Sequence, residues 1–125
     1  MYHLLALLMF ALSGMTHGEA TYYHPSLHGD LMRDETPYDQ RDESIAAVGV
    51  DRDGEPSIPL GTTLFCCRAD WERCVVLTVH DTGRFPTTDL DLSSAAFRLL
   101  STGETGRIKI VWWQLDTERL EGYYE

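Results

Sequence analysis

The chain has 125 residues, of which 43% are hydrophobic and 24% are charged, a composition typical of one folded domain rather than a disordered chain. Its formal net charge is −10. This charge argues against nucleic acid as a partner, because phosphate binding requires clustered Lys and Arg, and Lys109 is the only lysine. It argues equally against nonspecific adhesion to anionic membranes or anionic wall polymers.

The N-terminus carries an apolar segment ahead of the first charged residue, Glu19. Residues 4–12 (LLALLMFAL) have the length of a signal-peptide core, short of the about 20 apolar residues that span a bilayer. The small residues that follow predict cleavage after Gly18, with Thr16 at the minus-three position. Because no Lys or Arg lies near the start, a buried N-terminal helix is the alternative.

These features predict three segments: a signal peptide at residues 1–18, one domain at residues 19–115 and a polar tail at residues 116–125. We therefore expect a secreted or periplasmic protein, monomeric and without membrane contact after cleavage.

Short β-prone stretches begin directly after the apolar segment. Residues 20–23 and residues 45–48 predict two strands. Residues 24–44, between them, are rich in charged residues, glycine and proline, and predict an excursion exposed to solvent.

Residues 62–79 predict a β-hairpin with two β-prone arms and a polar tip. Alternation gives this hairpin one inner face, formed by Leu64, Cys66, Val75, Leu77 and Val79. Cys67 and Cys74 then both face outward near the hairpin end, where a disulfide with Cα atoms about 4.4–6.8 Å apart can form, and Cys66 becomes a core thiol. A register slip of one residue would exchange the faces.

The three cysteines do not form the two spaced ligand clusters of a structural zinc site. We therefore predict no metal and no cofactor.

The last third of the chain predicts a helix and then a strand. Ser93 is placed to cap a short helix over residues 94–100, and residues 107–113 alternate as a strand does. In that strand Trp112 and Trp113 point to opposite faces, so one packs in the core and the other can stack on a sugar ring at the surface. Many short strands with one helix favour a β-barrel.

Six segments, in order, resemble the double-psi β-barrel of the rare lipoprotein A and expansin superfamily. They are residues 18–23 (GEATYY), 45–47 (IAA), 58–62 (IPLGT), 80–85 (HDTGRF), 89–97 (DLDLSSAAF) and 106–112 (GRIKIVW). Each motif is short, and it is their common order over residues 18–115 that carries the resemblance. It implies an all-β fold, a single six-stranded double-psi β-barrel with one short helix.

The resemblance also implies action on cell-wall polysaccharide, because the superfamily includes lytic transglycosylases that cut peptidoglycan and expansins that loosen walls without detectable hydrolysis. Our first prediction is a lytic-transglycosylase-like enzyme acting on peptidoglycan glycan strands. The alternative is a noncatalytic, expansin-like module that binds or loosens the wall. An inhibitor or another secreted interaction domain is a third class, since the barrel itself does not decide the activity.

Asp91 and Asp81 are the predicted catalytic residues. Asp91 lies between Leu90 and Leu92, and an apolar setting raises the pKa of a carboxyl group and keeps it protonated, as a general acid requires. Asp81, on a facing loop, supplies a second charge, and two close carboxylates separate their pKa values. The alternatives are an aspartate that caps the turn before Ser93 and a loop aspartate that bonds its own backbone.

The resemblance assigns Thr21, Tyr23 and His28 to substrate binding. Thr21 and Tyr23 match the strand that lines the family's groove, and the His28-Gly29 pair resembles a His-Gly pair of the family. The alternative for the first two is an ordinary β-rich surface.

One departure from the family pattern concerns a histidine. Rare-lipoprotein-A-like enzymes carry it directly after the Ala-Ala pair, where this chain has Val48. His24, His28 and His80 are the candidates to replace it. The missing histidine favours the noncatalytic module over the enzyme.

Overall fold

The computed structural model describes residues 14–115, which form six strands and one α-helix. The elements are β1 (Thr16–Tyr22), β2 (Ile45–Gly49), β3 (Thr63–Arg68), β4 (Cys74–Gly83), β5 (Leu90–Leu92), α1 (Ser94–Leu100) and β6 (Ile108–Gln114). The strands close into one barrel in the order β1-β5-β2-β4-β3-β6. The predicted all-β, six-stranded barrel with one short helix is confirmed.

Parallel and antiparallel pairs are mixed around the barrel. The β1–β5 and β2–β4 pairs are parallel, and the other four are antiparallel. Strands distant in sequence are therefore neighbours in space, as in a double-psi β-barrel.

The barrel interior is filled from every strand and from one face of α1. The predicted inner face of the hairpin is confirmed, because all five of its side chains belong to this core. Trp112 is buried in the same core and Trp113 is only partly buried on the outside, as their alternation predicts. Helix α1 begins as expected, with the Ser93 hydroxyl accepting the Ala96 N–H at 3.2 Å.

The hairpin end carries the disulfide, which joins Cys67 to Cys74. The two residues are direct partners in the β3–β4 ladder, and their Cα atoms are 4.0 Å apart, closer than the separation expected from the sequence. Cys66 is a free thiol in the core, and burial raises its pKa to about 12.

Arg68 connects this hairpin end to the loop after α1. Its side chain donates to Asp70, to Glu104 and to the Leu100 carbonyl, at distances between 2.9 and 3.3 Å. The hydrogen bonds from Arg68, followed by the Thr102 N–H, lower the pKa of Glu104 to about 2. Although Arg68 is only 7% exposed, its charge is fully partnered by these hydrogen bonds.

Residues 24–44 were predicted to form an exposed excursion, and for two of them this is wrong. Met32 is 5% exposed and Tyr38 is 2% exposed, because both fold back onto the outer face of β2 and pack against Ile45 and Ala47. The polar composition of the segment gives no indication that Met32 and Tyr38 are buried. A local bridge between residues 31 and 37 brings the two together.

Strand β1 begins at Thr16, so Thr16, His17 and Gly18 already pair with β6. The predicted cleavage after Gly18 falls inside this strand, and the boundary stays a prediction. Most of the predicted signal peptide and the whole predicted tail lie outside the described residues. Between residues 14 and 115, the structure holds no helix long and apolar enough to cross a membrane.

Candidate functional site

Four side chains form one row across the outer face of four neighbouring strands. Thr21 is the partner of Asp91, Asp91 of Ala47, and Ala47 of Asp81, across β1, β5, β2 and β4 in turn. Their neighbours in β1, β2 and β5 point into the core, so these residues face outward. We call these four residues the carboxylate row. The two predicted catalytic aspartates thus flank a single alanine.

Asp81 was predicted on a loop, but it lies in β4, where a register shift in the β2–β4 pair places it in the row. Ala46 pairs with Val79 and Ala47 pairs with Asp81, which leaves His80 as an extra residue on β4. Such a bulge re-aims the side chains that follow it. The extra residue contacts residues 24–44 instead, since the His80 carbonyl accepts the Asp34 N–H at 3.1 Å and its Nδ1 lies 2.6 Å from Asp34 Oδ2.

Asp91 is partly buried and has one side-chain hydrogen bond, in which Thr21 Oγ1 donates to its Oδ1 at 3.0 Å. Burial raises the pKa of Asp91, and the negative charge of Asp81 raises it further, against the opposing effect of the Thr21 hydrogen bond. Between residues 14 and 115, no basic side chain forms an ion pair with it. Asp91 is therefore an uncompensated carboxyl group that holds a proton more strongly than an exposed one.

Asp81 has a different environment, because both of its carboxylate oxygens already accept a hydrogen bond. The Tyr23 hydroxyl donates to Oδ2 at 2.8 Å, and the Arg33 N–H donates to Oδ1 at 2.9 Å. Burial and then the charge of Asp81 raise the pKa of Tyr23, so the phenol stays protonated. Tyr23 is held in turn by stacking on Tyr38, with ring centroids 4.3 Å apart.

The row is bordered on two sides. Tyr23, Met32 and Tyr38 pack over one end of β2, and Phe85 packs against the same cluster from the loop after β4. The Phe85 ring lies across Gly83, where an added Cβ would come within 2.6 Å of the ring. Phe85 is only partly buried, so it presents an aromatic surface beside the carboxylates.

Arg33 and Phe85 are site residues that the sequence interpretation missed. Phe85 lies inside the 80–85 motif, and its position two residues after Gly83 is the sequence feature that could have identified it. Arg33 gave no signal, because its contacts are all distant in sequence. Its guanidinium donates to Thr82 Oγ1 at 3.1 Å and to the Gly54 carbonyl at 2.8 Å.

The histidines are not part of the row. His28 Nδ1 accepts the Gln40 N–H at 3.2 Å, and its other described contact is a carboxylate of the same loop. His24 bonds to Ser26, and His80 bonds to Asp34. The structure therefore does not bring His28 together with the other predicted substrate-binding residues. Val48 is 1% exposed and points into the core.

A separate groove of about 550 Å³ lies beside α1, with neither carboxylate in its lining. Tyr22 and Phe97, whose ring centroids are 4.7 Å apart, contribute its aromatic side. Among residues 14–115, no group of three or more His, Cys, Asp or Glu side chains is placed to hold a metal ion.

No protein-family model and no curated protein matches the chain. Solved structures do match it. An expansin from Clavibacter michiganensis aligns with a TM-score of 0.62 and 25% identity over 82% of this chain and 50% of that chain. The barrel fits the expansin-like double-psi β-barrel superfamily. A mutant of that expansin in complex with cellohexaose gives a TM-score of 0.63 with the same identity and coverage.

A Streptomyces papain inhibitor shares the fold, with a TM-score of 0.64 and 22% identity over 82% of this chain and 94% of that chain. The expansin-like barrel described here spans about half the length of the expansin chains it matches.

The row of this expansin-like barrel offers two kinds of carboxyl group to a ligand. Asp91 can hold and donate a proton, because its pKa is raised. Asp81 is fixed by two donors and has lone pairs left with which to accept bonds from sugar hydroxyls. Together with the Phe85 ring, this is a hydrogen-bonding and stacking surface suited to a carbohydrate.

Proposed function

We propose that this protein is an extracellular, noncatalytic wall-binding module that holds a β-1,4-linked glycan chain on the carboxylate row. The single observation that carries the proposal is the row itself, in which an uncompensated carboxyl and a fixed carboxylate lie on either side of Ala47. Ala47 itself is 2% exposed and packs against Met32 and Tyr38, whereas the carboxyl groups on either side of it are partly exposed and can meet a polyhydroxylated ligand.

The contacts of Asp81 support binding over catalysis. Its oxygens are occupied by the Tyr23 hydroxyl and the Arg33 amide, which hold it in place as an acceptor and leave it less suited to act as a nucleophile. The position that follows the Ala-Ala pair is a buried valine, so no histidine assists the row from there.

Two observations support this class of ligand: the net charge of the chain and the ligand bound by a structurally similar protein. The formal charge of −10 disfavours anionic polymers. A mutant of the matched Clavibacter expansin was solved with cellohexaose, a neutral chain of β-linked glucose, which supports a β-1,4-linked backbone as the ligand here. Cellulose and the glycan strands of peptidoglycan share this linkage, and the experiment below separates them.

The raised pKa of Asp91 favours a second candidate, a lytic transglycosylase. In that reaction Asp91 protonates the glycosidic oxygen as the bond to C1 breaks. The 6-hydroxyl oxygen of the same sugar then bonds to C1 and passes its proton to the carboxylate, which closes a 1,6-anhydro ring and restores Asp91.

Binding to cellulose and to peptidoglycan sacculi, measured in parallel with analysis of released sugars, tests both candidates. We expect the wild type to bind one or both polymers and to release no anhydro sugar. Asp91→Ala removes a ligand hydrogen bond and is expected to weaken binding about tenfold. Glu43→Ala is the matched control, because it removes the same charge from an exposed position off the row.

Asp91→Asn separates the two candidates, since it keeps the shape of the side chain and loses the proton. If the wild type releases anhydro sugar and Asp91→Asn slows the release about 10²–10⁴-fold, the enzyme replaces the binding module. If the wild type binds neither polymer, or if Asp91→Ala and Glu43→Ala bind alike, the proposed function is wrong.

A further inference from the structure

A group of three aromatic side chains, one of them exposed, lies on the outside of the barrel across from the carboxylate row. Phe65 of β3 and Trp113 of β6 are direct ladder partners, with ring centroids 5.2 Å apart and planes inclined by 22°. Trp71, at the tip of the β3–β4 hairpin, adds a third ring with its centroid 6.2 Å from that of Trp113. We call these three residues the aromatic patch.

Core packing does not explain Trp71. It is 51% exposed, whereas Phe65 and Trp113 are partly buried, so the patch has one outer ring beside Trp113, which in turn stacks on Phe65. The backbone of Trp71 has φ 65°, a left-handed conformation that is unfavourable for a bulky side chain and that glycine adopts readily. A strained backbone at an exposed aromatic residue points to a role in binding.

The hairpin end holds this ring in place. The disulfide between Cys67 and Cys74 closes the two strands, and the Trp71 N–H donates to the Arg68 carbonyl at 2.9 Å. Asp70 is fixed in turn by Arg68 and by the Glu72 N–H. Trp71 is thereby pre-organised, which lowers the entropy lost when a ligand stacks on it.

The chemistry around Trp71 selects the class of ligand. Asp70 and Glu72 flank it in the chain and are both exposed, so they repel anionic ligands and can accept bonds from hydroxyl groups. Three rings, of which one is half exposed, fall far short of the about 1,200–2,000 Å² that a stable protein interface buries. A neutral sugar ring, with an apolar face and a rim of hydroxyls, fits this small surface.

We propose that the aromatic patch is a second glycan-binding site, in which Trp71 stacks on the apolar face of a sugar ring and Trp113 and Phe65 support it. This inference deepens the proposed function and rests on it for the class of ligand. Because β3 and β6 lie opposite β5 and β2 in the barrel, the two sites hold two separate chains, or two distant parts of one. On an insoluble polymer the two contacts act together and strengthen binding.

The test combines calorimetry with cellohexaose and adsorption to cellulose. We expect the wild type to show two binding sites for cellohexaose, and the Trp71→Gly and Asp91→Ala variants to show one remaining site each. Adsorption to cellulose should fall about tenfold or more in either variant. Trp71→Gly relieves the left-handed backbone, so a lower urea midpoint is not expected and misfolding is not the cause of lost binding. Trp71→Tyr keeps an aromatic face and restores the second site.

Leu99→Ala is the matched control, because Leu99 is an apolar side chain on α1 with 42% exposure and is not a ladder partner of any patch residue. If Trp71→Gly binds as the wild type does while Asp91→Ala is weakened, the inference is wrong and the proposed function stands. If Asp91→Ala binds as the wild type does while Trp71→Gly is weakened, the row is not the site and the patch is. If the protein self-associates in sedimentation and Trp71→Gly abolishes it without changing cellohexaose binding, the patch binds protein and the inference fails.

Discussion

Two charged side chains of this barrel are withdrawn from solvent, and their surroundings differ. Arg68 donates to two carboxylates and to a backbone carbonyl, so its charge is compensated on every side. Asp91 accepts one hydroxyl hydrogen bond from Thr21 and faces a second negative charge at Asp81. The arginine clamps the hairpin end to the loop after α1, and the aspartate opposes the folded state whenever it ionises.

This difference separates structure from function. A buried charge with complete partners needs no further explanation, because its network holds two parts of the fold together. A partly buried carboxyl without a cation weakens the fold at neutral pH, and such groups concentrate at functional sites. The comparison predicts that replacing the two residues moves stability in opposite directions.

Removing Arg68 has the largest expected effect. Arg68→Met leaves Asp70 and Glu104 without their cation and the Leu100 carbonyl without its donor. We expect the midpoint of urea unfolding at neutral pH to fall by roughly 1 M or more. Circular dichroism during urea titration measures the shift.

Arg73→Met is the control, because its guanidinium bonds the Ser101 carbonyl at the exposed surface. The pH dependence adds a second check. Since the pKa of Glu104 is lowered to about 2, the stability from its pair with Arg68 is present above the unfolded pKa and is lost as the pH falls toward 2. Equal shifts in Arg68→Met and Arg73→Met would contradict the clamp.

Removing the hydrogen bond from Tyr23 to Asp81 has the next largest expected effect on stability. Tyr23→Phe removes the hydroxyl that donates to Asp81 and leaves that oxygen without its buried partner. We expect the free energy of unfolding to fall by about 1–2 kcal/mol. Urea unfolding of the two proteins under identical conditions measures it.

The neighbouring tyrosine is a matched control. The Tyr22 hydroxyl donates to the Thr105 carbonyl at the exposed surface, so Tyr22→Phe is expected to change the free energy of unfolding by less than about 0.5 kcal/mol. If the two variants lose the same stability, Tyr23 does not hold Asp81.

The smallest expected effect has the opposite sign. Because the folded-state pKa of Asp91 is raised, its ionisation destabilises the fold fully above that pKa and not at all below the unfolded value of about 3.9. Asp91→Asn still accepts the Thr21 hydrogen bond and loses the charge. It should therefore be more stable than the wild type at neutral pH, and the two should converge below about pH 3.

Urea unfolding at a series of pH values measures this difference, with Glu43→Gln as the exposed control. A stability difference between Asp91→Asn and the wild type that is constant over the whole pH range would show that Asp91 does not titrate with a raised pKa.

Local periodicity explains why so much of the barrel was predictable. Alternation along a strand fixes which side chains face inward, and it placed Cys66 in the core and Asp91 outside between two buried leucines. The order of the short motifs supplied the closure of the strands, which alternation alone does not contain.

Contacts distant in sequence account for what was missed. Asp81 was predicted as a site residue but not as part of β4, because it reaches the row through one extra residue at His80, and a bulge leaves no mark in a period-two pattern. Arg33 and Tyr38 come from a segment whose composition reads as solvent-exposed, yet both lie beside the row. His28 matched a motif of two residues, which is too short to fix where its side chain lies.

The arrangement of the three cysteines has a consequence for oxidative folding. Three thiols allow three pairings, and Cys66 and Cys67 are adjacent in sequence but face opposite sides of β3. A bond between Cys66 and Cys74 would require β3 to slip by one residue, which would turn the inner face of the hairpin toward water.

Closure of the barrel therefore selects the disulfide between Cys67 and Cys74 over the other pairings. Once Cys66 enters the core, its pKa of about 12 leaves almost no thiolate at neutral pH, and the thiolate is the species that attacks a disulfide. A mispaired chain cannot close the barrel in this register and keeps one thiol free to exchange, whereas the correctly paired chain buries the one thiol that could undo the pairing. The fold thus makes the correct pairing the end point of exchange.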